Sequence, residues 1–187
     1  MNLYGEQVFL RPLERKDIDA GLYHKWINDP EVTRYLEARL WPQTYDRMLK
    51  YYENIGLSND NFLMAICINE VEPPVLCQGA HIGNIRLGPI NWVHGFAEIG
   101  LFIGNKECWG IGYGTEAIRL LSDFAFDQLN LHKLTAGILD PNIGSILAFE
   151  KAGFSTEGTL RRQYWDKDRY IDDVVMCKFA TDEEQND

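Results

Sequence analysis

The chain has 187 residues, 45% of them apolar, with 18 Lys and Arg against 28 Asp and Glu. That length and composition fit one globular domain and argue against a disordered chain, a collagen-like repeat or a string of domains. A formal charge of −10 also argues against a broad nucleic-acid footprint or an anionic-membrane surface, because each needs a basic patch to neutralise phosphates.

Gln7 to Pro12 alternates as a short strand, Val8 and Leu10 against Phe9 and Arg11. Asp17 is expected to cap a helix running through Leu22 and Trp26 until Asn28-Asp29-Pro30 stops it. A second helix is predicted over Thr44 to Ile55, ending at Gly56, so this region forms a helical flap after one strand. From Asn61 the period changes. Phe62 to Asn69, Gly79 to Leu87 and Phe96 to Ile103 are rich in β-branched and aromatic residues, with turn signals at Glu72-Pro73-Pro74 and from Gly88-Pro89 to Gly95. Connections this short favour an antiparallel meander. A helix follows Gly114, with Ala117, Ile118, Leu121, Phe124 and Ala125 on one face. A strand over Lys133 to Leu139, a helix over Ile143 to Ala152 closed by Gly153, and strands near Ser155 to Gln163 and Arg169 to Phe179 complete the order. Seven strands and four helices in this sequence predict a mixed α+β sheet in one domain, residues 1–180, with a flexible acidic tail over 181–187.

Four cysteines (Cys67, Cys77, Cys108 and Cys177) are scattered without a C-x-x-C pair, so they read as free thiols in a reducing compartment and offer no structural zinc site. The first residues lack the basic-then-apolar layout of an export signal, and the longest apolar run, Phe62 to Ile68, is too short to cross a bilayer. A cytoplasmic protein with no metal, no membrane and no nucleic-acid partner is expected.

The most informative stretch is Trp109-Gly110-Ile111-Gly112-Tyr113-Gly114, after a strand and opening an amphipathic helix. Alternate glycines let successive backbone N–H groups approach an anion, and the helix N-terminus adds favourable partial charge, which suits a pyrophosphate; the plainer reading is a tight glycine turn. The absence of Gly-Lys-Ser/Thr excludes a P-loop. The spacing is G-x-G-x-G where a dinucleotide fold wants G-x-G-x-x-G, and Asp140 is the only candidate acid, so an oxidoreductase stays as a rival.

Trp109 to Ala117 resembles the acetyl-CoA loop of the GCN5-related N-acetyltransferase (GNAT) superfamily, in the variant typical of its ribosomal-protein-alanine acetyltransferase branch, where Trp replaces the first Gln or Arg. Asn142-Ile143-Gly144-Ser145 followed by Phe149-Glu150-Lys151-Ala152-Gly153-Phe154 is similar to that branch's N-x-x-S and E-K-x-G-F elements, and Trp26 with Asn28 to Val32 resembles its N-terminal signature. The resemblance implies a strongly bent, mostly antiparallel sheet whose central strands, around Glu98 to Ile103 and Lys133 to Leu139, splay apart. It implies acetyl-CoA as co-substrate, its pantetheine arm hydrogen-bonding the strand edge at Leu101, Phe102 and Ile103 with help from Asn142, and its pyrophosphate on amides of Gly110 to Thr115. The implied activity is acetyl transfer to a primary amine by direct attack, in a monomer or homodimer.

Such a transfer needs a neutral nitrogen, a donor for the oxyanion and a proton for the departing thiolate. A backbone N–H near Leu101 to Ile103 suits the oxyanion. Many members of the family place Tyr just before E-K-x-G-F, but this chain has Phe149, which leaves Ser145 as acid or as an ordinary first-turn serine; Asn142 reads as helix cap and as pantetheine contact. Glu98, flanked by Phe96 and Phe102, is the expected base if apolar surroundings raise its pKa, or else a structural carboxylate. His81, His94 and His132 read as surface or strand histidines, and Cys108 as a thiol beside the loop. The acceptor pocket is expected between the N-terminal helices and the last strands, with Trp26, Arg34, Tyr35, Arg86 and Tyr164 as lining and Arg34 and Arg39 available for phosphates. A peptide N-terminus, a polyamine, an aminoglycoside-like drug and an amino sugar all stay open as acceptors. Phe149 at the usual acid position also motivates a catalytically silent acetyl-CoA sensor.

Overall fold

Strict alternation along the central strands gives the sheet two apolar faces, and a helical layer covers each. The computed structural model describes residues 1–69 and 79–180. The expected turn at Glu72-Pro73-Pro74, the Cys77 thiol and the tail from Thr181 lie outside the described residues.

Strands β1 (Leu3–Tyr4), β2 (Val8–Pro12), β3 (Phe62–Ile68), β4 (His81–Leu87), β5 (Phe96–Ile103), β6 (Lys133–Leu139), β7 (Ser155–Asp166) and β8 (Arg169–Phe179) lie in the order β1-β2-β3-β4-β5-β6-β8-β7. Every pairing is antiparallel except β5 with β6. Met64, Ile66 and Ile68 of β3 point to the larger core with α4 (Tyr113–Asp127) and α5 (Ile143–Lys151), whose Ile118, Leu121 and Phe149 are buried there. Leu63, Ala65 and Cys67 point the other way, to Ile18, Tyr23, Ile27 and Met48 around α1 (Arg15–Asp19), α2 (Leu22–Ile27) and α3 (Tyr45–Tyr51).

The β5–β6 pairing is short. Phe96, Ala97 and Glu98 pair with Lys133, Leu134 and Thr135, and there the ladder stops. Ile99 to Ile103 go on pairing with β4, and Ala136 to Leu139 with β8, so each central strand has one backbone edge free over its second half. This is the expected splay.

The N-terminal region differs from expectation. Gly21, in the left-handed conformation at φ 77°, divides the first predicted helix into α1 and α2. Glu14 takes the cap position, while Asp17 folds back to accept from the Glu14 N–H at 2.8 Å and from both Arg11 guanidinium nitrogens at 2.6 and 2.7 Å. Thr44 does cap α3, accepting from the Arg47 N–H at 3.3 Å, and the rest of the predicted helix continues as a π-helical turn over Tyr52–Gly56. The eighth strand, β1, is two residues long, too short for any periodicity to announce. Among the described residues there are therefore eight strands rather than about seven, and five α-helices rather than four. No helix of the described residues is long and apolar enough to cross a membrane.

Candidate active site at the strand splay

The chain leaves β5 through a short 3-10 turn (Lys106–Cys108) and the glycine loop, and enters α4. Gly110 and Gly112 have φ of 74° and 112°, conformations that side chains disfavour, and an added Cβ at either would meet nothing within 4 Å. The loop thus presents bare backbone and open space at the first turn of a 15-residue helix, whose leading N–H groups lack intrahelical partners. The Trp109 indole N–H donates to the Ile103 carbonyl at 2.8 Å and ties the loop to the end of β5. Lys106 bridges Asp29 at 3.0 Å and Glu31 at 2.8 Å, fixing the facing N-terminal wall.

Between these walls runs a cleft of about 540 Å³. Leu101, Phe102, Ile103, Trp109, Gly110, Gly112, Gly114, Thr115, Asn142 and Ser145 of the predicted cofactor set line it, with Arg34, Tyr35 and Lys151. Ile111 and Tyr113 do not: Ile111 is exposed and Tyr113 packs against the larger core. Bare amides at one end, free strand edges along the side and the cations of Arg34 and Lys151 are complementary to a pyrophosphate carrying an amide-rich arm, which is the chemistry of acetyl-CoA.

A second cavity of about 820 Å³ is lined by the N-terminal helices, the central strands and the final strands. The two cavities share Tyr35, Leu36, Leu101, Phe102, Asn142 and Ser145, so they meet at that junction. Asn142 caps α5, its side chain accepting from the Ser145 N–H at 3.4 Å, which places the Ser145 hydroxyl in the first turn. Arg86, Tyr164 and Tyr35 of the expected acceptor residues line the second cavity, as does Arg39. Trp26 lines neither; its ring covers Gly104, where a Cβ would overlap it, and meets His81 edge-on. Arg34 lines only the cofactor cleft, with its guanidinium over the Tyr35 ring.

The surroundings of Glu98 also differ from expectation. Its side chain is 51% exposed and 4.0 Å from Arg86, not enclosed by aromatic rings. The buried carboxylate of the second cavity is Asp173 on β8, which is 6% exposed. Burial pushes the Asp173 carboxyl above the usual range, with only the Ile138 backbone amide opposing it. Burial likewise raises the Tyr164 phenol, with Asp173, Glu37 and Glu98 adding to the effect. Asp173 escaped the sequence reading, although Asp172-Asp173 inside a strand carries a signal: alternation sends one of two neighbouring aspartates to each face.

Among the cavity's arginines, Arg39 pairs with Asp166 at 3.2 Å and Arg47 lies over the Trp41 ring. His81 Nε2 sits 3.0 Å from the Gly83 carbonyl and 2.7 Å from Asn84 Oδ1, and burial lowers its pKa. His94 and His132 are exposed. Cys108 is buried; desolvation and then Glu107 push its thiol up, which suits a spectator.

The dinucleotide-binding alternative fails on topology, because the glycine loop leaves a strand of a mostly antiparallel sheet rather than the first strand of a parallel one. Residues 7–155 match the family model described as "Acetyltransferase (GNAT) domain". The chain is 31% identical over 172 residues to the uncharacterized N-acetyltransferase p20 of Bacillus licheniformis, covering 91% of each chain. It is 31% identical over 175 residues to the spermidine N(1)-acetyltransferase of Escherichia coli K12, covering 94% of this chain and 87% of that one. In three dimensions it is similar to the spermidine N-acetyltransferase of Vibrio cholerae solved with CoA and spermine, with a TM-score of 0.79 at 26% identity over 94% of this chain and 96% of that one. Bare loop amides, a splayed sheet and these likenesses agree: the chain belongs to the GNAT family of acetyltransferases and is an acetyl-CoA-dependent N-acetyltransferase.

Proposed function

We propose that the acceptor is a linear aliphatic polyamine, acetylated on a primary amine. The observation that carries this reading is a pair of carboxylates left without a cation, in a lining where three acids (Glu37, Glu98, Asp173) stand against three arginines (Arg39, Arg47, Arg86). Asp173 on its floor and Glu37 at its exposed rim have no Lys, Arg or His partner within 4.0 Å among the described residues, whereas Arg39 is taken up by Asp166. Tyr23, Tyr35, Tyr51, Tyr164 and Trp165 supply aromatic walls. Unpaired carboxylates between aromatic faces favour an alkylammonium. The polyamine enzymes among the relatives support the same choice.

In this reading the amides of Gly110 to Thr115 hold the pyrophosphate, and the free edge of β5 at Leu101 to Ile103 aligns the pantetheine and stabilises the oxyanion. The amine attacks the thioester carbon directly, and Ser145 at the junction protonates the departing thiolate. Asn142 orients α5 and contacts the arm. Arg86 holds Glu98 at the cavity wall, where the carboxylate adds to the pull on a cation.

The test is a CoA-release assay with spermidine, spermine, a short N-terminal peptide, an aminoglycoside and a hexosamine. The expected result is a kcat/KM for spermidine or spermine at least a hundredfold above the others. Preference for the peptide or the sugar would refute the polyamine assignment and leave the acetyltransferase activity standing.

A further inference from the structure

We infer that Asp173 is the general base of the transfer, the group that takes the proton from the acceptor ammonium. The inference holds for any primary amine and does not depend on the polyamine reading.

Asp173 stands opposite Leu139 in the β6–β8 register, on the half of β6 that has left β5. Its carboxylate lies over Gly137: a Cβ there would fall 3.1 and 3.3 Å from the two oxygens, so any side chain at 137 would press on it. Gly100 on β5 is also bare, and both glycines line the acceptor cavity. The fold thus clears the floor of the cavity beside the thioester gap and puts one carboxylate there.

The groups around that carboxylate explain the choice. Tyr164 faces the cavity from β7, Glu98 and Arg86 from β5 and β4, and Glu37 and Arg39 from the N-terminal segment. Arg47 and Tyr51 face it from α3, Tyr23 from α2, and Ser145 from α5. Arg86 is 4.0 Å from Glu98, Arg39 pairs with Asp166, and Arg47 lies over Trp41, so among the described residues no cation is paired with Asp173. An ionised carboxylate held without a cation at 6% exposure is a standing cost to the fold. An incoming ammonium relieves it. Burial also moves its proton affinity toward neutrality, as a base requires.

The step balances. Asp173 accepts one proton from the ammonium, and the neutral nitrogen attacks the thioester carbon. The C–N bond forms and the C–S bond breaks. The thiolate takes the Ser145 hydroxyl proton, and Ser145 is restored by the second proton that the nitrogen sheds as it becomes an amide. The proton on Asp173 leaves to solvent. An ammonium and a thioester become an amide, a thiol and one free proton.

The test is Asp173→Asn, assayed from pH 6 to 9.5 with the best acceptor of the panel and with a weakly basic amine already neutral at pH 7. Calorimetry of acetyl-CoA and thermal unfolding accompany the kinetics. We expect kcat/KM at pH 7 to fall about a hundredfold. The deficit shrinks as pH approaches the acceptor's own pKa, and it largely vanishes with the weakly basic amine. Acetyl-CoA affinity stays within twofold, and the unfolding temperature is equal or higher, because a buried charge has gone. A variant within threefold of the parent at pH 7, a deficit independent of pH, or one that persists with the neutral amine overturns the assignment. Asp173→Ser goes through the same measurements, and failure of both variants to fold also overturns it, since a carboxylate required for folding is not an uncompensated charge.

Discussion

Ser145 and Phe149 stand four residues apart on α5, one helical turn, and both line the acceptor cavity. Ser145 also lines the cofactor cleft; Phe149 does not, is 2% exposed, and packs edge-on against Phe154 with ring centroids 5.0 Å apart. The hydroxyl and the phenyl ring therefore flank the reaction junction from one helix face, and only one of them can give a proton.

Ser145→Ala is expected to lower kcat by roughly ten- to a thousandfold with acetyl-CoA affinity nearly unchanged, because an acid acts mainly in the transition state. Pre-steady-state measurement of the chemical step checks this. A first-turn serine with no such role gives parental turnover and a stability change of at most about 1 kcal/mol.

Phe149→Tyr in the Ser145→Ala background is expected to return turnover at least about tenfold, by placing a phenol one turn from the lost hydroxyl. Rescue without a change in spermidine KM separates a restored acid from a repacked pocket.

Gly112→Asp is expected to abolish acetyl-CoA binding, measured by calorimetry. The carboxylate repels the pyrophosphate, and the side chain fills the open space before α4. At φ 112° the substitution also strains the backbone, so a loss of about 1–3 kcal/mol in folding stability accompanies it. Gly112→Ala shares the strain without the charge and is expected to retain part of the affinity.

Glu37→Gln is expected to raise the KM for spermidine about tenfold and leave kcat within a factor of two, since its carboxylate holds a distal cation and not the reacting nitrogen. A monoamine of the same length is expected to be indifferent to the change. Steady-state kinetics with the two acceptors distinguish these outcomes.

Acid stability is expected to depend on Asp17. Burial alone would raise its pKa, but the two Arg11 bonds and the Glu14 N–H together hold it below the usual aspartate range. A carboxyl with a depressed folded-state pKa contributes stability that is present above its unfolded pKa and fades as pH falls through the folded one. Asp17→Asn leaves a largely buried guanidinium short of its charge partner and is expected to cost about 2–4 kcal/mol at pH 7. Urea denaturation between pH 3 and 7 should show the parent losing this advantage in the acid range and the variant lacking it throughout.

The strand over Phe62 to Asn69 was readable from its apolar run, but both faces of β3 are buried, so the run shows no alternation and the division of Met64, Ile66 and Ile68 from Leu63, Ala65 and Cys67 between two cores was not legible. The glycine loop was legible, because backbone that must approach an anion leaves its mark as missing side chains at 110 and 112. Trp26 was misplaced: an aromatic in a motif looks the same whether it meets substrate or covers Gly104, and only the approach of that glycine's backbone decides. Asp173 was missed for the opposite reason. A carboxylate in a strand beside a second Asp reads as solvated surface until the splay of β6 shows what lies beneath it. The break at Gly21 was hidden by continuous apolar periodicity through Ile18, Leu22 and Trp26, which a left-handed residue interrupts without disturbing.

The three residue pairs that join β5 to β6 make a narrow seam between two lobes of sheet, β1 to β5 on one side and β6, β8 and β7 on the other. Gly100 and Gly137, the bare floor of the acceptor cavity, ride on opposite lobes. A pantetheine laid along the free edges would bridge that seam, tying together two lobes that otherwise meet over three residue pairs. The expected kinetic consequence is an order of addition, thioester first and amine second, and amide exchange at Leu101 to Ile103 should slow when CoA alone is added.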